Sequence, residues 1–360
     1  MRRGWWISYL ALSGFLALGC GPNAEQAATL LPVAEPAGFA KIIYPADNPT
    51  TAEGLALGRA LFYDPLFSRD STVSCATCHR PELAFTDGLA ISSGVGGRSG
   101  RRNSPSLTNI GYLHETLFWD GRADNLETQA LHPIAEASEM ASDWPTVLRR
   151  LRDHPHYPGR FHAAFGVSGE EIKPGHVGKA LAQFQRSLIS GDSKYDRVRR
   201  GEATFTEVEA LGNAIFFDLA DEPEPTWRGF PTGECAHCHP PPHFTNQRFF
   251  NNGLDEVASL RDFPDPGRGP ITGNNSDYGK FRSPGLRNVA VTAPYMHDGR
   301  FATLEEVVAH YNSGGHYAEN RDPNLYRIGL EPEQQAALVA FLRTLTDSVF
   351  LNNPAYRPAR

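Results

Sequence analysis

The 360-residue sequence predicts an all-α fold made of two similar halves wrapped by long loops. Three observations predict it. Apolar residues recur at helical spacing in several segments. One string of short motifs occurs twice, about 160 residues apart. Between the periodic segments lie long stretches rich in Gly and Pro, which mark loops. Composition agrees: 40% apolar and 21% charged residues describe a folded chain, long enough for two domains with separate cores. A net charge of −7 excludes broad nucleic-acid or anionic-lipid binding, which needs clustered Lys and Arg.

Residues 1–19 read as a secretory signal: Met1-Arg2-Arg3, a short apolar run from Trp5, then Ala17-Leu18-Gly19 before Cys20. The run is too short for a transmembrane helix. The Ala-Leu-Gly-Cys sequence resembles a bacterial lipobox, which implies cleavage before Cys20 and lipid on its thiol. Residues 20–48, rich in Ala, Pro and Glu, are expected to form a tether. The body is then expected in the periplasm, touching a membrane only through that lipid anchor.

The other four cysteines fall as Cys75-Ala76-Thr77-Cys78-His79 and Cys235-Ala236-His237-Cys238-His239. Each is C-x-x-C-H, the attachment motif of c-type haem. Two thiols add across the two vinyl groups of one porphyrin, and the adjoining histidine ligates iron. Chance alone would supply on the order of 0.003 such pentapeptides in a chain of this composition. A zinc ribbon needs its second pair roughly 15–20 residues after the first, and a thioredoxin-like pair needs a βαβ setting. Neither condition is met. His237, between two thiols, is placed poorly for ligation and reads as structural.

Each haem motif has matching surroundings. Leu57-Gly58-Arg59-Ala60-Leu61-Phe62 precedes the first, and Leu211-Gly212-Asn213-Ala214-Ile215-Phe216 the second. Phe85-Thr86, Arg102-Asn103-Ser104-Pro105 and Trp119-Asp120-Gly121-Arg122 follow the first. Phe244-Thr245, Phe281-Arg282-Ser283-Pro284 and His297-Asp298-Gly299-Arg300 follow the second. The period is too long for a solenoid and points to one duplicated module. Helices are expected over residues 55–62, 177–189, 208–217 and 334–345, with a capping box at Thr303-Leu304-Glu305-Glu306 opening another. The long loops (94–105, 221–233 and 263–279) are expected to wrap the porphyrins. The fold is thus two cytochrome-c-like haem domains from an internal duplication, over residues 49–200 and 201–350.

Function turns on what faces each proximal histidine. A filled sixth position makes an electron-transfer haem, and an open one admits peroxide. Methionine often fills it, but only Met1, Met140 and Met296 exist.

On both haem motifs, on Arg102-Asn103-Ser104-Pro105, on Phe118-Trp119-Asp120-Gly121-Arg122 and on Ala293-Pro294-Tyr295-Met296-His297-Asp298-Gly299-Arg300, the chain resembles the bacterial di-haem cytochrome c peroxidase superfamily. Within it the likeness is to the MauG/MbnH-like branch, over roughly residues 50–345. The resemblance implies that the haem on Cys75, Cys78 and His79 reacts with hydrogen peroxide. It implies a distal pocket of Gln129, Pro133 and Glu139, with the Glu139 carboxylate moving the proton between peroxide oxygens. Conventional members close this haem with a loop histidine. Residues 94–101 contain none, which implies an open haem needing no reductive activation.

For the haem on Cys235, Cys238 and His239 the resemblance places Tyr311 as sixth ligand, with Met296 as its rival. An anionic phenolate would stabilise oxidised iron. It places Trp119 between the haems as a charge relay, and Asn103, Thr292 and Pro294 at a calcium ion, a hard cation that suits oxygen ligands. His297 is expected to hydrogen-bond near a haem edge.

The implied function is an oxidoreductase that spreads two oxidising equivalents from peroxide over both irons as high-valent iron and discharges them on a secreted partner protein, as MauG-like enzymes do on protein tryptophan. One alternative is a conventional peroxidase that draws electrons from a small cytochrome or cupredoxin. Another is a non-enzymatic di-haem electron carrier. Trp227, upstream of the second motif, is a candidate surface exit for charge.

Overall fold

The computed structural model describes residues 1, 29–31, 33–113, 116–219, 231 and 233–358. Cys20, Trp227, the signal segment and part of the tether lie outside these residues. The helices run α1 Ala52–Tyr63, α2 Cys75–Cys78, α3 Leu126–Gln129, α4 His132–Ala135, α5 Trp144–Asp153, α6 Tyr157–Phe165 and α7 Pro174–Arg186. Then follow α8 Lys194–Arg199, α9 Glu207–Phe217, α10 Cys235–Cys238, α11 Gly269–Thr272, α12 Leu304–Ser313, α13 Pro332–Arg343 and α14 Ser348–Leu351. One antiparallel pair of two-residue strands, β1 Phe249–Phe250 and β2 Phe281–Arg282, is the named sheet among the described residues. The structure is mostly helical. Among these residues no helix is long and apolar enough to cross a membrane.

The helix starts are written in the sequence. Thr51 caps α1 by accepting from the Gly54 amide at 3.0 Å. At α9 the Glu209 amide donates to Thr206 Oγ1, and the Thr206 amide donates to Glu209 Oε2. The box expected at Thr303 opens α12 in the same way: Glu306 N meets Thr303 Oγ1 at 3.2 Å, and Thr303 N meets Glu306 Oε2 at 3.1 Å. The stripe Val177, Ala180, Leu181 and Phe184 of α7 is fully buried.

Two helix pairs carry two cores. α1 lies on α7, with the Phe62 and Phe184 rings 5.1 Å apart. α9 lies on α13, with the Phe216 and Phe341 rings 5.0 Å apart. Each crossing closes on a glycine. A Cβ on Gly58 would stand 1.9 Å from the Ala180 carbonyl oxygen, and one on Gly212 would stand 1.9 Å from that of Ala337. Neither backbone can retreat without separating the helices. Gly58→Ala and Gly212→Ala are each expected to cost about 1–3 kcal/mol, read as a lowered urea midpoint. Gly159→Ala in α6, where the new methyl meets open space, is expected to gain about 0.5–1 kcal/mol.

The loops after the two C-x-x-C-H motifs share backbone geometry. Phe85 and Phe244, Asn109 and Asn288, Phe118 and Met296 all sit at positive φ, between 56° and 76°. For phenylalanine that conformation costs free energy and persists only where surroundings impose it.

The halves are fastened to each other. Arg287 pairs bidentately with Asp196 at 2.7 and 2.8 Å, both buried. Arg102 meets Asp120 at 2.6 Å and Asp265 through two bonds of 2.7 Å. The loop at 263–279, expected to wrap a porphyrin, serves instead as a clasp on the N-terminal half. It supplies Asp265, and Arg268 Nη1 donates to Asp120 O at 3.3 Å. None of its residues lines either of the two main cavities. The chain end also crosses over. Asp347 accepts at 3.0 Å from Ser190 Oγ and from the amides of Gly191 and Asp192. Phe350 and Tyr356 then pack on Phe85 in the first core.

Candidate active site

Each C-x-x-C-H motif forms one helical turn, α2 or α10, followed at once by its histidine. The histidine amides donate back to the first cysteine's carbonyl: His79 N to Cys75 O at 3.0 Å, and His239 N to Cys235 O at 2.9 Å. The rings are held alike. His79 Nδ1 donates to Phe85 O at 2.7 Å. His239 Nδ1 faces the carbonyls of Phe244 and Pro284, each at 3.0 Å. A carbonyl only accepts, so Nδ1 carries the proton and Nε2 keeps its lone pair for a metal. The left-handed turns at Phe85 and Phe244 thus aim the two carbonyls. Burial depresses both imidazole pKa values, favouring the neutral, ligating form. Ser104 Oγ and Ser283 Oγ complete the parallel, each donating at 2.8 Å to the carbonyl of the second cysteine.

Each motif forms one wall of a large cavity, about 360 Å³ in the N-terminal half and about 270 Å³ in the C-terminal half. Ordinary cores hold few voids larger than one water, so spaces of this size in a packed protein call for an occupant. The four thiols are unpaired, and burial pushes those of Cys75 and Cys235 up to about 12 and those of Cys78 and Cys238 up to about 11. Two thiols and one free imidazole nitrogen on each cavity wall fit covalent haem c. The thiols would hold the porphyrin, and His79 and His239 its iron.

Gln129, Pro133 and Glu139 line the N-terminal cavity together with His79. Gln129 ends α3 and Pro133 lies in α4. The segment after α4 folds back, with Met140 N donating to Pro133 O at 3.1 Å and Glu139 N to Glu136 O at 3.0 Å. That return puts Glu139 on the wall beside Pro133. Burial raises the Glu139 carboxyl pKa, and the Arg122 cation partly opposes this. Arg122 is itself held by Asp120 at 3.1 Å and by the Phe118 ring at 3.5 Å. The histidine-free loop at 94–101 is tied to the same segment: Val95 N donates to Glu139 O at 2.8 Å and Arg98 Nη1 to Ala137 O at 3.1 Å. A Cβ on Gly94 would lie 2.2 Å from Ser138 O, so only glycine permits this approach. Gly94, Gly100 and Arg101 line the cavity, as expected of a wrapping loop.

In the C-terminal cavity, Tyr311 on α12 and Met296 both face the Asn252 amide. Its Nδ2 lies 3.3 Å from Tyr311 Oη and 3.5 Å from Met296 Sδ. Burial pushes the phenol up to about 12. His297 lines this cavity and stacks on Phe281, 3.6 Å between ring centres, and its backbone carbonyl accepts from Asn103 N at 2.7 Å. Burial pulls its pKa down to about 4, and the nearby Asp298 and Asp265 carboxylates partly oppose this. His237 also lines this cavity.

Trp119 borders both cavities, and its Nε1 donates to Asn103 O at 2.8 Å. Asn103, Thr292 and Pro294 all line the C-terminal cavity, and Asn103 Nδ2 donates to Leu89 O at 2.8 Å. Sequence reasoning missed Asn252 and Arg282. Asn252 lies in no motif. Arg282 could have been found, because the repeat aligns it with Asn103.

The sequence pattern of the di-haem cytochrome c peroxidase family matches residues 52–204. The methylamine utilization protein MauG of Methylorubrum extorquens is 38% identical over 307 residues, 84% of this chain and 80% of that protein. The cytochrome c551 peroxidase of Nitrosomonas europaea is 32% identical over 299 residues, 83% of this chain and 81% of that protein. Among solved structures, a MauG-like protein associated with microbial copper homeostasis superposes with a TM-score of 0.78 at 35% identity, covering 90% of this chain and 99% of that one. With two haem-attachment walls built on one plan and relatives of this extent, the chain belongs to the di-haem cytochrome c peroxidase family and is a peroxidase-type oxidoreductase.

Proposed function

We propose that the protein takes hydrogen peroxide at the N-terminal cavity and delivers the two oxidising equivalents to a partner protein, in the manner of the MauG-like branch. The observation that carries this reading is the set of residues that share the N-terminal cavity with His79. Gln129, Pro133 and Glu139 stand there, and the fastened loop at 94–101 brings no histidine against them. Bound haem supplies the peroxide-reactive iron and the store of oxidising equivalents. The rest is done by this chain's own side chains. Glu139, with a raised carboxyl pKa, accepts a proton from one peroxide oxygen and returns it to the other. Gln129 orients the peroxide. Trp119, on the wall common to both cavities, relays charge between them. Tyr311 is the proposed sixth ligand on the C-terminal side, and Asn103, Thr292 and Pro294 the proposed calcium ligands.

On this reading residues 49–200 and 201–350 descend from one duplicated haem domain, which their paired glycine crossings and paired positive-φ residues support. The signal-like N-terminus supports a periplasmic site of action, with Cys20 as lipid anchor. The test is addition of peroxide to the as-isolated diferric holoprotein. An immediate spectral change is expected. Inertness until half-reduction would overturn the MauG-like reading.

A second reading, a conventional peroxidase fed by a small cytochrome or cupredoxin, is favoured by one observation. Met296 Sδ shares the Asn252 amide with Tyr311, so a thioether is within the same cavity. Sustained turnover with a reduced carrier protein would support it.

A further inference from the structure

Three arginines of the described residues are almost completely buried inside the body, and two of them pair with carboxylates. Arg186 meets Glu127 at 2.7 Å, and Arg287 meets Asp196. Arg282, 6% exposed, has no such partner. Its Nε donates to Phe118 O at 3.2 Å, and Nη1 has no hydrogen-bond partner at all. Burial pulls its pKa down to about 10, and no anion opposes that fall. An unpaired buried charge is destabilising unless something absent from the protein chain neutralises it.

The position of Arg282 says what that is. It lines both cavities, on the same wall as Trp119. Its backbone is fixed there, because Arg282 N donates to Trp119 O at 2.8 Å. In the repeat it aligns with Asn103, and the flanking Ser283 and Ser104 bonds show that the two positions are equivalent. Asn103 satisfies its amide within the protein, on Leu89 O. Arg282 does not. The planar guanidinium suits a carboxylate, and haem brings two propionate carboxylates into each cavity.

We propose that Arg282 is a propionate anchor on the wall between the two haems, a positioning residue whose charge is neutralised by a haem carboxylate. A cation held there disfavours the ferric state of the haem it pairs with, so it also sets that haem's potential relative to its neighbour's.

The test uses holoprotein carrying Arg282→Gln or Arg282→Lys, with both covalent haems verified by intact mass. Spectroelectrochemical titration follows the two haems separately. Arg282→Gln is expected to shift the ferrous-to-ferric ratio of one or both haems about tenfold toward ferric at fixed potential, a midpoint lowered by about 59 mV. Arg282→Lys, which keeps the charge, is expected to retain most of the wild-type value. The haem that moves identifies whose propionate is held. Unchanged midpoints in Arg282→Gln would overturn the proposal. Should that variant fail to load haem, the propionate bending bands in resonance Raman spectra of wild type and Arg282→Lys decide. A shifted band is expected, and an unshifted one overturns the assignment.

Discussion

Replacing Glu139 by Gln is expected to slow the reaction of the diferric protein with peroxide by about 10²–10⁴-fold, the usual worth of a positioned general acid–base. The side chains are nearly isosteric, so the cavity and haem attachment should be unchanged. What disappears is a group that can take a proton from one oxygen and give it to the next. Two features support so large an effect. Glu139 lines the same cavity as His79. Burial also raises its carboxyl pKa, so its carboxylate is a stronger base toward a peroxide proton than an exposed one. The sign of the pH dependence follows. Proton abstraction needs the carboxylate, so the wild-type rate should fall as pH drops through a midpoint above the ordinary carboxylate range. The Gln variant should show no such limb. Stopped-flow mixing across pH measures both. A rate within a factor of three of wild type would remove Glu139 from the proton transfer.

The second large effect is expected from Tyr311→Phe. Loss of an anionic oxygen donor should alter the ferric visible spectrum of the C-terminal haem. It should also raise that haem's midpoint by on the order of 0.1 V, a fraction of the about 0.8 V that axial ligands command. Met296→Leu is the necessary partner, because Asn252 reaches both side chains. The helical setting favours tyrosine. α12 is capped at Thr303 and ends in a left-handed Gly314 that packs on Tyr326 and Arg327, so Tyr311 rides on a rigid element. Met296 lies at φ 76° in a tight turn. A strong spectral change in the Met variant and none in the Tyr variant would reverse the assignment.

Much of this architecture was legible because haem attachment is local chemistry. Two thiols and a histidine within five residues need one helical turn, and α2 and α10 supply it. The α1–α7 and α9–α13 pairs were legible through their apolar stripes and caps. Less legible was what depends on distant segments meeting. The clasp at Asp265 is a loop carboxylate until Arg102, from the other half, comes to it. The stacking of His297 on Phe281 has no local signal either, because Phe281 reaches it from β2. Asn252 carries no sequence signal, since its importance comes only from facing Tyr311 and Met296 across the cavity. That Gln129, Pro133 and Glu139 share the N-terminal cavity was expected only from family likeness. Spacing alone would not show that residue 139 turns back onto α4.

The crossing of the chain end onto the first core has a consequence in time. Phe85, whose carbonyl orients His79, is covered by Phe350 and Tyr356, more than 260 residues later in the chain. At about 5–20 residues per second, the first haem motif leaves the ribosome on the order of ten seconds or more before the residues that seal it exist. Contacts of such long sequence separation also form slowly. The first thiol pair is therefore made early and enclosed last, an order of events in which its haem can be joined to a core that is still open.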